Sequence, residues 1–243
     1  MSRSASISIV VATLNEEETV GPVLEGLRGL TDDLLVVDGH STDRTVQIAR
    51  ALGARVVLDN RRGKGDAVRV GIAEARHPIL VFFDADGSHD PNDVPLLATP
   101  IAEARADLVI GSRRLGGSEE LFGTPSEAIR LFGLVIISLL INYRFGVRLT
   151  DYQNGLRAIR RSVALALDLR SDLTTIEQEM AMKALARGYR VIEIPTRERR
   201  RAGGLSKVNV LRLAHVYLWS LIAGLCQRRQ RVRSEETEDA PIG

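Results

Sequence analysis

Short apolar runs alternate along the chain with stretches whose apolar residues recur every three or four positions. "ISIVVATL" (7–14) is rich in β-branched residues and reads as a strand, and "NEEETVGPVLEGLRGL" after it has helical spacing behind an acidic first turn. "LLVVDGHSTDRTVQIARALG" repeats the event, with a short run ending at Asp38, a polar turn, and a helix from about Thr42 that Gly53 ends. "ARVVLDN" reads as a third strand, "GKGDAVRVGIAEA" as a helix, "PILVFFDAD" as a fourth strand and "DLVIGSRR" (107–114) as a fifth. Beyond these lie an apolar helix around 127–142, a polar loop "RLTDYQNGLRAIRR", a helix near "TTIEQEMAMKALARG" and a strand in "RVIEIPTRERR". Strands alternating with helices predict parallel βαβ units in an α/β/α sandwich, with a ligand crevice at the carboxyl ends of the strands. Asp38 and Asp84 stand at such ends.

The longest apolar stretches, "LFGLVIISLLI" (131–141) and "LAHVYLWSLIAGLC" (213–226), fall short of the ~20 residues that span a bilayer, so no transmembrane segment is expected. The first is apolar nearly all round, which fits deep burial or a membrane-facing surface. The second contains Tyr217 and Trp219 and precedes "QRRQRVR". Those flanks suit a helix in the membrane interface as well as a C-terminal helix packed on the core.

With 243 residues, 44% of them hydrophobic, the chain can bury one sizeable core. Its net charge of +2 gives no whole-protein field of the kind nucleic-acid binders carry, so no nucleic-acid partner is expected. The single Cys226 excludes an internal disulfide framework, and the first residues lack the long apolar region of an export signal; both suit a cytoplasmic chain.

"VFFDADGSHDP" (81–91) places Asp84 and Asp86 at a strand end. Residues i and i+2 of a strand share a face, so the two carboxylates could converge, and like charges that close need a cation or a proton between them. A hard divalent cation, Mg²⁺ or Mn²⁺, favours carboxylate oxygens and often keeps phosphates in its shell. A solvated acidic turn would carry the same letters.

Five motifs occur in order: "TLNEEE", "VVDGHSTDRT", "RRGKGDAV", "DADGSHDP" and "IGSRR". Together they resemble the family 2 glycosyltransferases, inverting enzymes of the GT-A fold, which is a Rossmann-like α/β/α sandwich with a mostly parallel sheet. "LTDYQNGLRAIRR", "IEQEMAMKALARGYRVIEIP" and "RRAGGLSK" resemble later signatures of the polyprenyl-phosphate (dolichol-phosphate) subgroup, so the resemblance covers roughly residues 6–208. It implies a GT-A domain over 1–210, followed by the amphipathic helix at 211–228 and a charged tail at 229–243 too poor in apolar groups to fold.

The resemblance also implies roles. Asp84 and Asp86 would hold Mg²⁺ or Mn²⁺, with Asp86 the direct ligand, and Ser88 would stand where a stronger third ligand, often Gln, is found. Asp38 would contact the nucleotide, although Gly39 and His40 follow it where relatives often carry a second acid. Thr13 and Glu16 would form the first nucleotide loop, and Lys64 would lie near the donor. Glu179, at the start of an E-x-x-x-K stretch, would contact the sugar; of Glu177 and Glu179, two residues apart on one helix, only one can aim at the site. Arg113 and Arg130 would grip the acceptor phosphate and, with Asp86, make the catalytic set. Arg201 and Lys207 would close over the donor diphosphate or the acceptor. Asp151 with Gln153 or Asn154 would shape the sugar pocket, and His89 and Asp90 would hold the acidic loop or touch substrate.

The function these implications describe is inverting transfer of a sugar from a nucleotide sugar to a polyprenyl or dolichyl phosphate, by an enzyme peripheral on the cytoplasmic face of the membrane. GDP-mannose, UDP-glucose and UDP-N-acetylhexosamine stay open as donors, as does a membrane-protein partner. One rival keeps the fold and takes a soluble sugar or glycan hydroxyl as acceptor. Another reads "DADGS" as the nucleophile motif of haloacid-dehalogenase-type phosphohydrolases, which usually carry it near the N-terminus.

Overall fold

A computed structural model describes residues 6–119, 125–200 and 210–227, with side chains described except at 125–130 and 210–215. Strands β1 (Ile7–Thr13), β2 (Asp33–Asp38), β3 (Arg55–Leu58), β4 (Ile79–Asp84), β5 (Leu108–Ser112), β6 (Arg157–Arg160) and β7 (Val191–Pro195) form one sheet in the order β3-β2-β1-β4-β6-β5-β7. Around it lie α1 (Val20–Leu27), α2 (Thr45–Ala51), α3 (Lys64–Glu74), α4 (Asp93–Ala102), α5 (Arg113–Gly116), α6 (Pro125–Phe145), α7 (Arg161–Ala166), α8 (Ile176–Ala186) and α9 (Val210–Leu225). The fold expected from the sequence, a mostly parallel α/β/α sandwich, is the one observed.

The central strands are buried on both faces, which is why they read as continuous apolar runs. Alternate residues supply two cores. Val10, Leu35, Val37, Leu80 and Phe82 share one core with residues of α3, α7 and α8, while Ile9, Val11, Val36, Val81 and Phe83 share the other with residues of α1 and α4. Each such side chain, fully buried, contributes about 1.5–3 kcal/mol.

Two boundaries differ from expectation for identifiable reasons. Helix α2 begins at Thr45 rather than near Thr42, because the preceding residues form its turn: the Ser41 N–H donates to Asp38 Oδ1 at 2.7 Å and the Thr45 N–H to Asp43 Oδ1 at 3.0 Å. Gly53, at φ +82°, ends it as anticipated. The second difference is β6, inside what reads as a polar loop. It runs antiparallel to both β4 and β5, with Arg157 opposite Phe82 and Ile110.

That reversal positions the site. The sheet steps outward from β1 in both directions, so a crevice opens between the ends of β1 and β4. An antiparallel β6 starts where β4 and β5 end, and so delivers the loop before it, residues 149–156, to the same edge.

Helix α9 packs on the core. Leu221 is buried, Tyr217 Oη lies 2.7 Å from Thr174 Oγ1, and Arg144 of α6 donates to the carbonyls of Leu225 and Gln227. Its outward residues Leu218, Trp219 and Ile222 stay exposed, as do Phe132, Ile136, Leu139, Leu140 and Tyr143 of α6. Among the described residues no helix is long and apolar enough to cross a membrane.

Candidate active site

The first two strand ends are joined below the crevice. Thr13 and Asp38 are register partners, and Thr13 Oγ1 donates to Asp38 Oδ2 at 2.9 Å. Asp38 is fully buried and also accepts from the Ser41 N–H and, at 2.6 Å, from Ser41 Oγ. Its carboxylate thus organises the β2–α2 turn. Glu16 belongs to the adjoining loop, its N–H donating to Thr45 Oγ1 and its carboxylate accepting from Thr19 Oγ1.

The centre of the crevice is an ion cluster assembled from three distant segments. Gly63 lies at φ +115°, and a side chain at Gly65 would collide with the Ser171 carbonyl, so the two glycines let the N-terminus of α3 press against residues 171–172. Lys64, between them, is thereby aimed at the end of β4 on one side and the start of α8 on the other. Its Nζ lies 2.7 Å from Asp84 Oδ1 and 2.9 Å from Glu177 Oε1. An ammonium at a helix N-terminus opposes the dipole of α3, and the two carboxylates offset that cost. Burial works against the Lys64 charge, yet Asp84 and Glu177 hold it above its ordinary value. Burial likewise opposes the Asp84 charge, but Lys64, with His89 Nε2 at 3.4 Å from Asp84 Oδ2, holds that carboxyl well below the usual range. A Cβ at Gly155 would overlap the Asp84 carboxylate, so the loop ahead of β6 closes the cluster and needs glycine there. Glu177 Oε2 is buried without a partner among the described residues.

The acidic loop follows. Beyond Asp84 the chain leaves the strand through a turn with Gly87 at φ +75°, so the shared-face geometry expected of Asp84 and Asp86 does not extend to Asp86. Asp84 turns to Lys64, while Asp86 Oδ1 accepts from the Ser88 N–H at 3.0 Å and from Ser88 Oγ at 2.7 Å. Ser88 is buried and acts as a turn former, with its hydroxyl proton committed to Asp86. The loop is held from outside by residues following β7: the Arg199 N–H donates to the Ser88 carbonyl at 2.8 Å, and its guanidinium meets Asp90 at 2.9 Å. His89 packs edge-on to Phe83, its ring centroid 5.8 Å away.

A second ion cluster stands at the end of β5. Arg113 donates through Nε and Nη2 to Asp151 at 2.6 and 2.9 Å, and through Nη1 to Glu198 at 3.2 Å. Burial opposes this charge as well, and the two acids hold the guanidinium above its ordinary value. Arg113, expected from the resemblance to grip an acceptor phosphate, is bidentate on Asp151 in the ligand-free chain. Beside it, Arg114, Thr150 and Gln153 line a cleft with Leu134 and Ile137 of α6.

One expectation is reversed. Glu179 does not reach the crevice: it pairs with Lys183 at 2.6 Å and accepts from the Arg170 and Ser171 N–H groups. Glu177 is the acid that faces Lys64, and the only sequence signal for it was that two acids two residues apart on a helix diverge. The Arg130 side chain, and all of Arg201 and Lys207, lie outside the described residues.

Comparison with known proteins places this geometry in a family context. The model of the family described as "Glycosyl transferase family 2" matches residues 8–167. An uncharacterised glycosyltransferase of Mycobacterium tuberculosis is 34% identical over 204 residues, spanning 84% of this chain and 90% of its own. A dolichyl-phosphate hexose transferase of Haloferax volcanii is 30% identical over 200 residues, spanning 81% of this chain and 84% of its own. Among solved structures, glucosyl-3-phosphoglycerate synthase from M. tuberculosis, in complex with Mn²⁺, UDP and glucosyl-3-phosphoglycerate, superposes with a TM-score of 0.71 at 24% identity, over 91% of this chain and 80% of that one. That likeness speaks for the fold.

Proposed function

The chain belongs to glycosyl transferase family 2, and we propose that it transfers a sugar from a nucleotide sugar to the phosphate of a polyprenyl-type lipid at a membrane surface. The observation that supports the acceptor is that one helix serves two environments, with an exposed apolar face on one side and a cleft wall on the other. Helix α6 exposes Phe132, Ile136, Leu139 and Leu140, and the same helix lines with Leu134 and Ile137 the cleft that holds Arg113 and Arg114. An exposed apolar face on the helix that also walls the arginine-bearing cleft fits an amphiphile with an anionic head and a hydrocarbon tail. Leu218, Trp219 and Ile222 of α9 extend the apolar side and support peripheral attachment to the bilayer. The H. volcanii relative, a dolichyl-phosphate hexose transferase, supports the same acceptor class.

On this reading the donor lies over the ends of β1 and β4. Two of the three Lys64 N–H groups go to Asp84 and Glu177, leaving one to direct at the donor diphosphate. Among the described residues no three His, Cys, Asp or Glu side chains converge on one point. The residues present still fit Mg²⁺ or Mn²⁺, because such ions commonly take one or two carboxylates and complete their shell with substrate phosphates and water. Asp86 is the carboxylate that would hold the ion, since Asp84 is engaged by Lys64. When bound, the ion would stabilise the charge that develops on the leaving diphosphate. A phosphate acceptor is already anionic near neutral pH, so the attacking oxygen needs positioning by cations rather than a strong base.

A soluble phosphorylated acceptor is the second reading, favoured by the glucosyl-3-phosphoglycerate bound in the similar solved structure. The test is to incubate the chain with Mg²⁺ or Mn²⁺, a panel of GDP- and UDP-sugars, and either a short polyprenyl phosphate or 3-phosphoglycerate. Lipid-linked sugar is the expected product. Product from the soluble ester alone selects the second reading, and no turnover with any pair overturns both. Asp86→Asn should lower the rate by about 10²–10³-fold with an unchanged unfolding midpoint; full activity would remove Asp86 from the site.

A further inference from the structure

The two carboxylates on Arg113 do unequal work. Asp151 takes the guanidinium bidentately, and the Arg113 backbone N–H also approaches its Oδ2 at 3.3 Å, which fixes the side chain. Glu198 reaches Nη1 alone, at 3.2 Å, on the edge that Asp151 leaves open. It is buried, and its other oxygen accepts from Ser118 Oγ. Asp151 already neutralises the guanidinium, so Glu198 adds a surplus negative charge in a site with little water. That surplus has a use if it holds a place for another anion.

Glu198 sits on a strap, residues 196–200, that leaves β7. The Thr196 N–H donates to the Ser112 carbonyl, the Glu198 N–H to Gly117, and the Glu119 N–H back to the Glu198 carbonyl. One residue on, Arg199 is bonded to Ser88 and Asp90. The strap therefore touches both the Arg113 corner and the loop that carries Asp86.

We propose that Glu198 occupies, in the ligand-free chain, the position at Arg113 that the phosphate of the acceptor takes, and that the acceptor binds by displacing it. This rests on the reading of the chain as a transferase to a phosphorylated acceptor, lipid or soluble. A phosphate monoester brings the same sign of charge and three oxygens, so Arg113 stays paired throughout the exchange. Displacement moves the strap where it crosses the acidic loop, and acceptor binding is thereby coupled to the Asp86 turn.

Glu198→Gln removes the charge while keeping the shape and an oxygen for Ser118. Titration of inorganic phosphate into the full chain without nucleotide, followed by calorimetry, should show about tenfold tighter binding in the variant than in the wild type. The gain should vanish in the Arg113→Gln/Glu198→Gln double variant. In steady state the acceptor KM should fall while the donor KM holds, and running both polyprenyl phosphate and 3-phosphoglycerate identifies the acceptor whose KM responds. Should Glu198→Gln not fold, as judged by circular dichroism, Glu198→Asp retracts the carboxylate from Nη1 and should still tighten phosphate binding; equality with wild type overturns the proposal. Unchanged phosphate affinity in folded Glu198→Gln alongside normal transfer overturns the displacement and leaves the proposed function standing. The expected gain without transfer to any phosphorylated acceptor overturns the proposed function and reduces the corner to an anion site.

Discussion

Lys64→Met tests the central cluster by removing its cation while keeping an unbranched side chain one heavy atom shorter. The contacts at 2.7 and 2.9 Å each carry a gross attraction of about 6 kcal/mol at an effective dielectric near 20. Desolvation cancels most of it. Taking one partner from a buried pair typically costs about 3–5 kcal/mol. The Lys64 and Asp84 side chains keep 30% and 25% of their exposure, which puts the expected loss near the low end, about 3 kcal/mol. The pH dependence is the sharper signature. In the wild type the Asp84 carboxyl is depressed on folding, so its contribution is fully present above the unfolded value of 3.8 and is lost only as pH falls through the lower folded value. Without Lys64, burial dominates and pushes the carboxyl upward, so protonation relieves the variant as pH falls from 7 to 5. Urea unfolding at both pH values should therefore show the larger deficit at pH 7. A deficit under about 1 kcal/mol, or one equal at the two pH values, would refute the assignment of Lys64 as the balancing charge.

Gly155→Ala should cost about 2 kcal/mol in thermal unfolding and lower transfer, because the new methyl group forces the Asp84 carboxylate off Lys64; a variant with wild-type stability and rate would show that the loop yields freely. Leu139→Glu/Trp219→Glu should weaken sedimentation with vesicles of equal phosphatidylcholine and phosphatidylglycerol by at least about tenfold, while the unfolding midpoint is unchanged because both side chains are exposed. Undiminished vesicle binding would remove the α6–α9 face from the membrane contact.

The parts of the site carried by single strands were legible, since a buried parallel strand announces itself as an apolar run and its carboxyl end as the first charge after it. Asp38, Asp84 and Arg113 were located in this way. Strand β6 was not, because "RAIR" is short, ends in arginines, and buries Arg157 by donating its guanidinium to the Tyr152, Asn154 and Glu177 carbonyls, a solution with no sequence pattern. The choice of Glu179 over Glu177 failed for a related reason. The face of α8 turned to the crevice is set by how closely Gly63 and Gly65 let α3 approach residues 171–172, which is a tertiary contact. Arg113 was found at the end of β5 by the same signal, but its pairing was not legible, because its partners lie 38 and 85 residues away in the chain.

Lys64 and Arg113 share one arrangement. Each cation, assigned by the proposed function to an anionic ligand, is held by a pair of carboxylates from separate segments: Asp84 with Glu177, and Asp151 with Glu198. A lone buried cation would bind phosphate tightly but would carry an uncompensated charge, costing several kcal/mol whenever the site is empty. One acid per cation removes that cost; at Lys64 both acids stay and the third N–H is left for the donor, whereas at Arg113 the second acid, Glu198, makes acceptor binding an exchange of one anion for another. Affinity then follows the difference between carboxylate and phosphate on the same donors, so a ligand with more charge and more oxygens is preferred over a neutral sugar hydroxyl. That preference is what a transferase to a phosphorylated acceptor requires.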